Sequence, residues 1–234
     1  MIRCAIFDAD GTLLDSMPMW RDITYEYAAQ KGIDAPAGLH NTLNRLSLEQ
    51  CAAYYQSLGA AGTVEEIVAE LGQCAINGYR ARVGEKPHAR EFLELLHENR
   101  IPVAVATASN REGVVLALER LGMLPFVDLF TTCGEVGKSK EHPDIFLHCA
   151  EQFGATARES VVFEDSAYAI HTAKAAGFSV VAMEDAISTQ GKGQGETPDG
   201  IARAADLYLR DYGELIAKLA PEEDVAQGLF GLLE

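Results

Sequence analysis

Two carboxylates stand one residue apart where a short apolar run ends, close to the beginning of the chain. Asp8, Ala9 and Asp10 follow this run directly, and Gly11 comes next. Residues i and i+2 of an extended segment point to the same side, so both carboxylates would project into one small volume. Two anions this close repel each other unless they share a proton or bind a cation, and a glycine lets the backbone turn tightly beside a ligand. The spacing therefore predicts an active site.

Three further apolar runs also end in polar residues. We predict strands over residues 3–7, 102–106, 160–163 and 179–183, each followed by a helical pattern. Runs that are apolar on both faces and alternate with helices are typical of a parallel sheet covered on two sides. The predicted fold class is therefore α/β, with a doubly wound parallel sheet that binds its ligands at the carboxyl ends of the strands. The residues that follow the later strands, all polar except Ala108, are Thr107, Ala108, Ser109, Asn110, Glu164, Asp165, Ser166, Glu184 and Asp185.

A long segment between the first two predicted strands carries helical patterns and no convincing strand. Apolar residues recur at helical spacing in residues 23–29, 46–58 and 64–79. A segment of about 70 residues is too long for a simple β-to-α crossover. We therefore predict an inserted helical cap over residues 16–86 and a catalytic core formed by residues 1–15 and 87–234. The helices could instead only pad the sheet, but the insert begins directly after the acidic strand end, which favours a cap.

The composition bears on partners and compartment. The 234 residues are 48% hydrophobic and carry a formal net charge of −16. Nucleic acids and anionic membranes require clustered lysine and arginine, so we expect neither as a partner. Five cysteines without a CxxC pair fit neither a disulfide framework nor a zinc site, and no stretch approaches the roughly 18 apolar residues of a membrane span. These features predict a cytoplasmic protein.

Four segments of the chain form an ordered set. They are Asp8-Ala9-Asp10-Gly11-Thr12, Thr107-Ala108-Ser109-Asn110, Lys140 ahead of Pro143-Asp144-Ile145-Phe146, and Glu164-Asp165-Ser166. In this order they resemble the four motifs of the haloacid dehalogenase superfamily, and the resemblance covers about residues 1–177. Within the superfamily the chain looks like the phosphoglucomutase-like branch, which has a Rossmann-like core and a small helical cap.

The resemblance implies separate roles for the two aspartates. A carboxylate can attack phosphorus and form an acyl phosphate, which divides one difficult hydrolysis into two easier steps. By this resemblance Asp8 is the nucleophile, and Asp10 is the general acid/base that protonates the leaving oxygen and then activates water. Dehalogenases of the superfamily lack the second aspartate, so the presence of Asp10 favours phosphatase chemistry.

A divalent cation would offset both the carboxylate repulsion and the charge on a transferring phosphoryl group. Mg²⁺ suits a site of oxygen ligands that retains waters. The resemblance implies that the ligands are the Asp8 side chain, the Asp10 backbone carbonyl and Asp165, with Glu164 as a weaker candidate. Capping of the following helix is the alternative explanation for Asp165 and Ser166.

The resemblance also implies a phosphate site. Thr107 would offer its hydroxyl and Ala108 its amide to the phosphate oxygens, whereas capping of a helix is the alternative role of Thr107. Lys140 would supply positive charge against Asp8 and the phosphate. Lys138 is the other candidate, but only Lys140 stands three residues before the proline, as in the family pattern. The family usually has proline directly after this lysine, where the chain has Glu141.

Three residues of the predicted cap are candidates for substrate selection. Ser16 lies at the hinge between core and cap. Trp20 could stack on a substrate or pack inside the cap, and Arg45 could bind a second anionic group or lie solvated at the surface.

We therefore expect a Mg²⁺-dependent phosphatase that acts on a small phosphorylated metabolite, as a monomer or weak homodimer. A sugar phosphomutase of the β-phosphoglucomutase type is the alternative enzyme, although the family's mutase pattern has histidine at the position of Trp20. A non-catalytic phosphometabolite-binding protein is a third possibility, against which the complete set of motif residues argues.

Overall fold

The computed structural model describes residues 1–43, 46–187 and 197–233. Its main strands are β1 (Cys4–Phe7), β4 (Val103–Thr107), β5 (Leu129–Thr132), β6 (Ser160–Glu164), β7 (Ser179–Met183) and β8 (Leu207–Leu209). Within the described ranges these six strands form one parallel sheet in the order β5-β4-β1-β6-β7-β8. The predicted doubly wound α/β fold is confirmed. Four strands match the predicted ones to within one residue, whereas the edge strands β5 and β8 were not predicted.

Helices cover both faces of the sheet because successive strand residues point to opposite sides. On one face Phe7 stacks on Phe163 with ring centroids 4.3 Å apart. This face is covered by α5 (Ala89–Glu98), α6 (Arg111–Arg120), α11 (Tyr212–Leu219) and α12 (Val225–Leu232). On the opposite face Ile6 and Val162 join a second buried cluster. That cluster is covered by α8 (Asp144–Gln152), α9 (Ala167–Ala175) and α10 (Pro198–Ala204), while the short helix α7 (Cys133–Val136) follows β5.

The predicted helical insert lies between two short strands. The strands β2 (Leu14–Asp15) and β3 (Gly84–Glu85) pair antiparallel at its two ends. The helices between them are α1 (Met17–Gln30), α2 (Leu39–Leu43), α3 (Leu48–Ser57) and α4 (Val64–Ala81). Among the helices of the described ranges, none is long and apolar enough to cross a membrane.

The insert has its own core but also packs against the sheet. Capping boxes at Ser47 and Thr63 begin α3 and α4, because each hydroxyl accepts a hydrogen bond from an orphaned amide of the first turn. Tyr27 and Tyr55 pack edge to face at 4.9 Å inside the insert. Tyr79 of α4 instead belongs to the cluster that covers the sheet. This arrangement brings one cap helix to the carboxyl edge of the sheet.

Candidate active site

Adjacent strand ends bring the predicted carboxylates together. Because β1 lies between β4 and β6, Asp8 has Thr107 on one side and Glu164 and Asp165 on the other. The amide of Asp8 donates to the carbonyl of Phe163 at 2.9 Å, which extends the pairing of β1 with β6 to this residue. Asp8 is 6% exposed, Thr107 1%, Glu164 1% and Asp165 3%. The site is enclosed, so its charges are desolvated.

A buried lysine lies between two of these carboxylates. The ammonium of Lys140 contacts the carboxylate of Asp8 and donates to Oε1 of Glu164 at 2.7 Å, and the residue is 2% exposed. Burial lowers the pKa of Lys140, but the two carboxylates outweigh it and hold the pKa above its ordinary value. Lys138 instead pairs with Asp144 at the surface, at 2.7 Å. Of the two candidate lysines, only Lys140 reaches the site, and it does so as a cation.

The nucleophile candidate is held in an environment that penalises its charge. Burial raises the pKa of Asp8 to about 7, the ammonium of Lys140 opposes this rise, and Glu164 and Asp10 add to it. One buried cation therefore does not fully offset the cost of burying the charged form of Asp8. A second cation in this volume would favour the ionised carboxylate.

The carboxylates beside Asp8 form a possible cation site. Asp8, Glu164 and Asp165 each offer an oxygen, and these oxygens lie within 4.8 Å of one another. Hard divalent cations prefer such all-oxygen ligand sets. Both oxygens of Glu164 already accept hydrogen bonds, one from Lys140 and the other from the amide of Ser166 at 2.7 Å.

Gly11 leaves room for one of these ligands. Its φ of +81° lies in the left-handed region, and a Cβ at this position would be 2.5 Å from Oδ2 of Asp165. A side chain here would therefore displace the Asp165 carboxylate as well as strain the backbone. The glycine that follows the two aspartates is thus required by the site.

The carboxylate of Asp10 is held by two hydroxyl groups. Tyr79 of the insert donates to Oδ1 at 2.7 Å, and Ser109, which follows β4, donates to Oδ2 at 2.6 Å. Burial and the neighbouring Asp10 raise the pKa of Tyr79 well above its ordinary value, so the phenol keeps its proton. Sequence reasoning missed both donors. Ser109 lies in the polar run after β4, which was a usable signal, whereas Tyr79 is one apolar-face residue of a helix 69 positions away.

The capping alternatives find little support in the contacts. The side chain of Asn110 accepts from the amide of Gly113 at 3.3 Å and so caps α6. Thr107 accepts from the amide of Ser109 at 3.0 Å, and Ala108 is exposed beside it at the end of β4. Ser166 begins α9 without a capping bond from its side chain. The capping bond of α6 thus comes from Asn110, and Thr107 lies at the end of β4.

The structure describes two of the three cap candidates. Ser16 is buried at the start of α1, and its hydroxyl has no hydrogen-bond partner among the described residues. Trp20 is half-buried and packs edge to face on Tyr79, with centroids 6.1 Å apart. Arg45 lies outside the described residues.

A second buried lysine links the insert to the sheet, and sequence reasoning missed it too. Lys86, which follows β3, donates to the carbonyl of Glu184 at 2.8 Å and to Oδ2 of Asp185 at 3.1 Å. Glu184 and Asp185, which follow β7, therefore bind Lys86 at the end of the insert and do not contribute to the carboxylate site.

Comparisons with known proteins agree with this fold. A model of the haloacid dehalogenase-like hydrolase family matches residues 2–177. The chain is 26% identical over 216 residues to validoxylamine A 7'-phosphate phosphatase of Streptomyces hygroscopicus subsp. limoneus, covering 92% of this chain and 96% of that protein. It is 29% identical over 180 residues to fructose-1-phosphate phosphatase YqaB of Escherichia coli (strain K12), covering 75% and 93%.

A solved structure shares the fold at lower identity. The crystal structure of β-phosphoglucomutase from Clostridium difficile matches with a TM-score of 0.72 and 18% identity, covering 99% of this chain and 100% of that one. The resemblance inferred from the four motifs is confirmed by the family match, which spans most of the chain. The chain belongs to the haloacid dehalogenase-like hydrolase family.

Proposed function

We propose that this hydrolase is a Mg²⁺-dependent phosphatase that cleaves the phosphate monoester of a small phosphorylated metabolite through a phospho-aspartate on Asp8. The observation that carries the proposal is the buried Lys140, whose ammonium contacts Asp8 and Glu164 at the carboxyl edge of the sheet. A buried cation beside a strand-end carboxylate can orient that carboxylate and attract a dianionic phosphate. The two phosphatase relatives act, by their names, on validoxylamine A 7'-phosphate and on fructose 1-phosphate, which supports a small phosphorylated metabolite as the substrate class.

The first half-reaction forms the phosphoenzyme. An oxygen of the Asp8 carboxylate attacks phosphorus, and the bond between phosphorus and the ester oxygen breaks. Asp10, in its protonated form, gives its proton to that oxygen, so the product leaves as a neutral alcohol. The enzyme then carries an acyl phosphate on Asp8 and a carboxylate at Asp10.

The second half-reaction restores the enzyme. The Asp10 carboxylate takes a proton from water while the water oxygen attacks phosphorus. The bond between phosphorus and the Asp8 oxygen breaks, which releases inorganic phosphate and returns Asp8 to its carboxylate form. Asp10 ends protonated, ready for the next ester.

Phosphate and metal binding use the remaining residues of the site. The Thr107 hydroxyl, the Ala108 amide and the Lys140 ammonium would donate to the phosphoryl oxygens. The side chains of Asp8 and Asp165 and the backbone carbonyl of Asp10 would hold Mg²⁺, with Glu164 as the weaker ligand. The bound ion would neutralise negative charge on the carboxylates and the phosphoryl group.

The insert would control access and substrate choice. The proposed cap comprises residues 16–86 and the core residues 1–15 and 87–234. Because Asp8, Glu164 and Asp165 are almost fully buried, we expect substrate to enter through a movement of this cap. Ser16, Trp20 and Arg45 remain candidates for substrate contacts. We also propose a cytoplasmic monomer or weak homodimer without a nucleic-acid or membrane partner.

A substrate screen with Mg²⁺ tests the proposal. Sugar phosphates, nucleotides and small phosphorylated acids are incubated with the protein, and released phosphate is measured with and without chelator. Asp8→Asn is expected to abolish turnover and Asp10→Asn to reduce it strongly, whereas the exposed Asp34→Asn serves as a control with unchanged turnover. Phosphate release that survives in Asp8→Asn would rule out the phospho-aspartate.

The same screen separates the alternatives. Isomerisation of a sugar phosphate that is stimulated by its bisphosphate, without release of phosphate, would indicate a mutase. Binding of phosphorylated ligands without any turnover would indicate a binding protein.

A further inference from the structure

Asp10, the candidate general acid/base, accepts hydrogen bonds from both the core and the insert. One oxygen of Asp10 accepts from Ser109 of the core at 2.6 Å, and the other accepts from Tyr79 of α4 at 2.7 Å. Two donors from separate segments fix both the rotation and the tilt of the carboxyl plane. The orientation of Asp10 thus depends on where α4 sits.

The position of Tyr79 is itself tightly defined. A Cβ on Gly113 of α6 would lie 2.5 Å from its ring, so the ring packs directly against the core helix backbone. Arg120 of the same core helix donates to the carbonyl of Tyr79 at 3.2 Å and also to the carbonyl of Val83. Trp20 also packs edge to face with this ring, at an interplanar angle of 83°. The position of the Tyr79 side chain is therefore tied to the packing of the insert against α6.

We propose, building on the phosphatase function above, that Tyr79 is a positioning residue that couples the seated cap to the orientation of Asp10. With the cap seated, the Tyr79 hydroxyl and Ser109 hold the carboxyl where it can protonate a leaving oxygen. When α4 moves away to admit substrate, one of the two donors is withdrawn and Asp10 is free to turn. Acid catalysis is thereby confined to the enclosed site.

The coupling has a consequence that depends on the leaving group. An alkoxide requires a proton as it departs, so cleavage of an alkyl phosphate needs a correctly oriented Asp10. Acetate is a stable anion, so cleavage of acetyl phosphate needs no such proton. A variant that only misorients the acid is therefore impaired on the alkyl phosphate and not on acetyl phosphate.

The test compares Tyr79→Phe with the parent protein on acetyl phosphate and on the alkyl phosphate that the parent hydrolyses fastest. The parameter is kcat/KM, which covers the steps up to phosphoenzyme formation and excludes the later attack of water. We expect kcat/KM for the alkyl ester to fall by about tenfold to a hundredfold, through kcat, while the value for acetyl phosphate stays within about twofold. An equal loss on both substrates, or no loss on either, would overturn the proposal.

A matched variant controls for the loss of a buried phenol in the insert. Tyr55 is 1% exposed, and its hydroxyl donates to the carbonyl of Thr24 at 2.8 Å, away from the carboxylates. Tyr55→Phe is expected to leave both kcat/KM values unchanged. If it reproduced the leaving-group pattern of Tyr79→Phe, the pattern would reflect cap stability and the proposal would fail.

A structural measurement decides the inference independently of turnover. In a crystal structure of Tyr79→Phe we expect the Asp10 carboxyl to rotate from its parent orientation, with the substituted ring still packed on Gly113. An unchanged Asp10 orientation would refute the positioning role even if the parent protein proved inactive on every ester. Inactivity of the parent would in turn refute the phosphatase function alone.

Discussion

Removal of the Lys140 charge is the most direct perturbation of the carboxylate site. Lys140→Met keeps a chain of similar length but leaves the buried carboxylates of Asp8 and Glu164 without their ammonium partner. Loss of one partner from a buried ion pair costs more than the pair contributes, because the remaining charge stays desolvated. The variant should therefore be both inactive and less stable.

The magnitude follows from the burial of all three groups. Lys140 is 2% exposed, Asp8 6% and Glu164 1%. Breaking such a pair from one side costs about 3–5 kcal/mol of unfolding free energy. For a chain of 234 residues, in which each kcal/mol shifts Tm by about 2–4 °C, the expected fall in Tm is about 6–20 °C.

Thermal and urea unfolding without divalent metal measure this loss. Lys138→Met is the matched control, because Lys138 stands two residues away and pairs with Asp144 at the surface, where ion pairs contribute little. The deficit of Lys140→Met should be smaller at about pH 5 than at about pH 8, because protonation relieves the unpaired carboxylates at the lower pH. If Lys140→Met unfolded with the midpoint of Lys138→Met, or if its deficit did not depend on pH, the account of the site would be wrong.

Three further predictions concern the same region. Gly11→Ala should weaken Mg²⁺ binding, measured by calorimetric titration, far more than Gly32→Ala does. Both glycines have positive φ (81° and 69°), but only a Cβ at position 11 would meet Asp165. Equal Mg²⁺ affinities of the two variants would contradict this prediction. In metal-free protein the unfolding free energy should decline as pH rises from about 4 toward 7. The pKa of Asp8 is about 7 in the folded state and about 4 in the unfolded state, so between these pH values the folded state binds more protons than the unfolded state. Asp8→Asn should remove this slope in urea unfolding, and a persisting slope would assign it to another group. Lys86→Met should lose about 3–5 kcal/mol in urea unfolding, because its buried ammonium pairs with a carboxylate after β7, and a loss below about 1 kcal/mol would argue against that pairing.

The strands that could be predicted from the sequence are those buried on both faces of the sheet. β1, β4, β6 and β7 are continuous apolar runs between helices, and such runs have few other ways to be buried. β5 and β8 were missed because they are edge strands of four and three residues that are only partly buried. Three or four residues are too few to show an alternation of apolar and polar side chains. These two strands are instead defined by their pairing with a neighbouring strand that is distant in sequence.

The sequence by itself determined that carboxylates would meet at one edge of the sheet. Asp8, Glu164 and Asp165 each lie at the end of a strand, and the carboxyl ends of parallel strands share an edge, so local pattern and topology were sufficient. The choice of Lys140 also rested on its spacing from a proline in sequence. Its burial between two carboxylates depends on the fold of the loop between α7 and α8.

Only the tertiary structure decided what surrounds Asp10. Tyr79 lies on a helix of the insert and Ser109 after β4, and they donate to different oxygens of the same carboxylate. Hydrogen bonds between groups about 70 to 100 positions apart leave no periodic trace in sequence, because they depend on how α4 seats against α6 at Gly113. The chain's local patterns therefore specify which carboxylates meet at the sheet edge, and its packing specifies how Asp10 is held beside them.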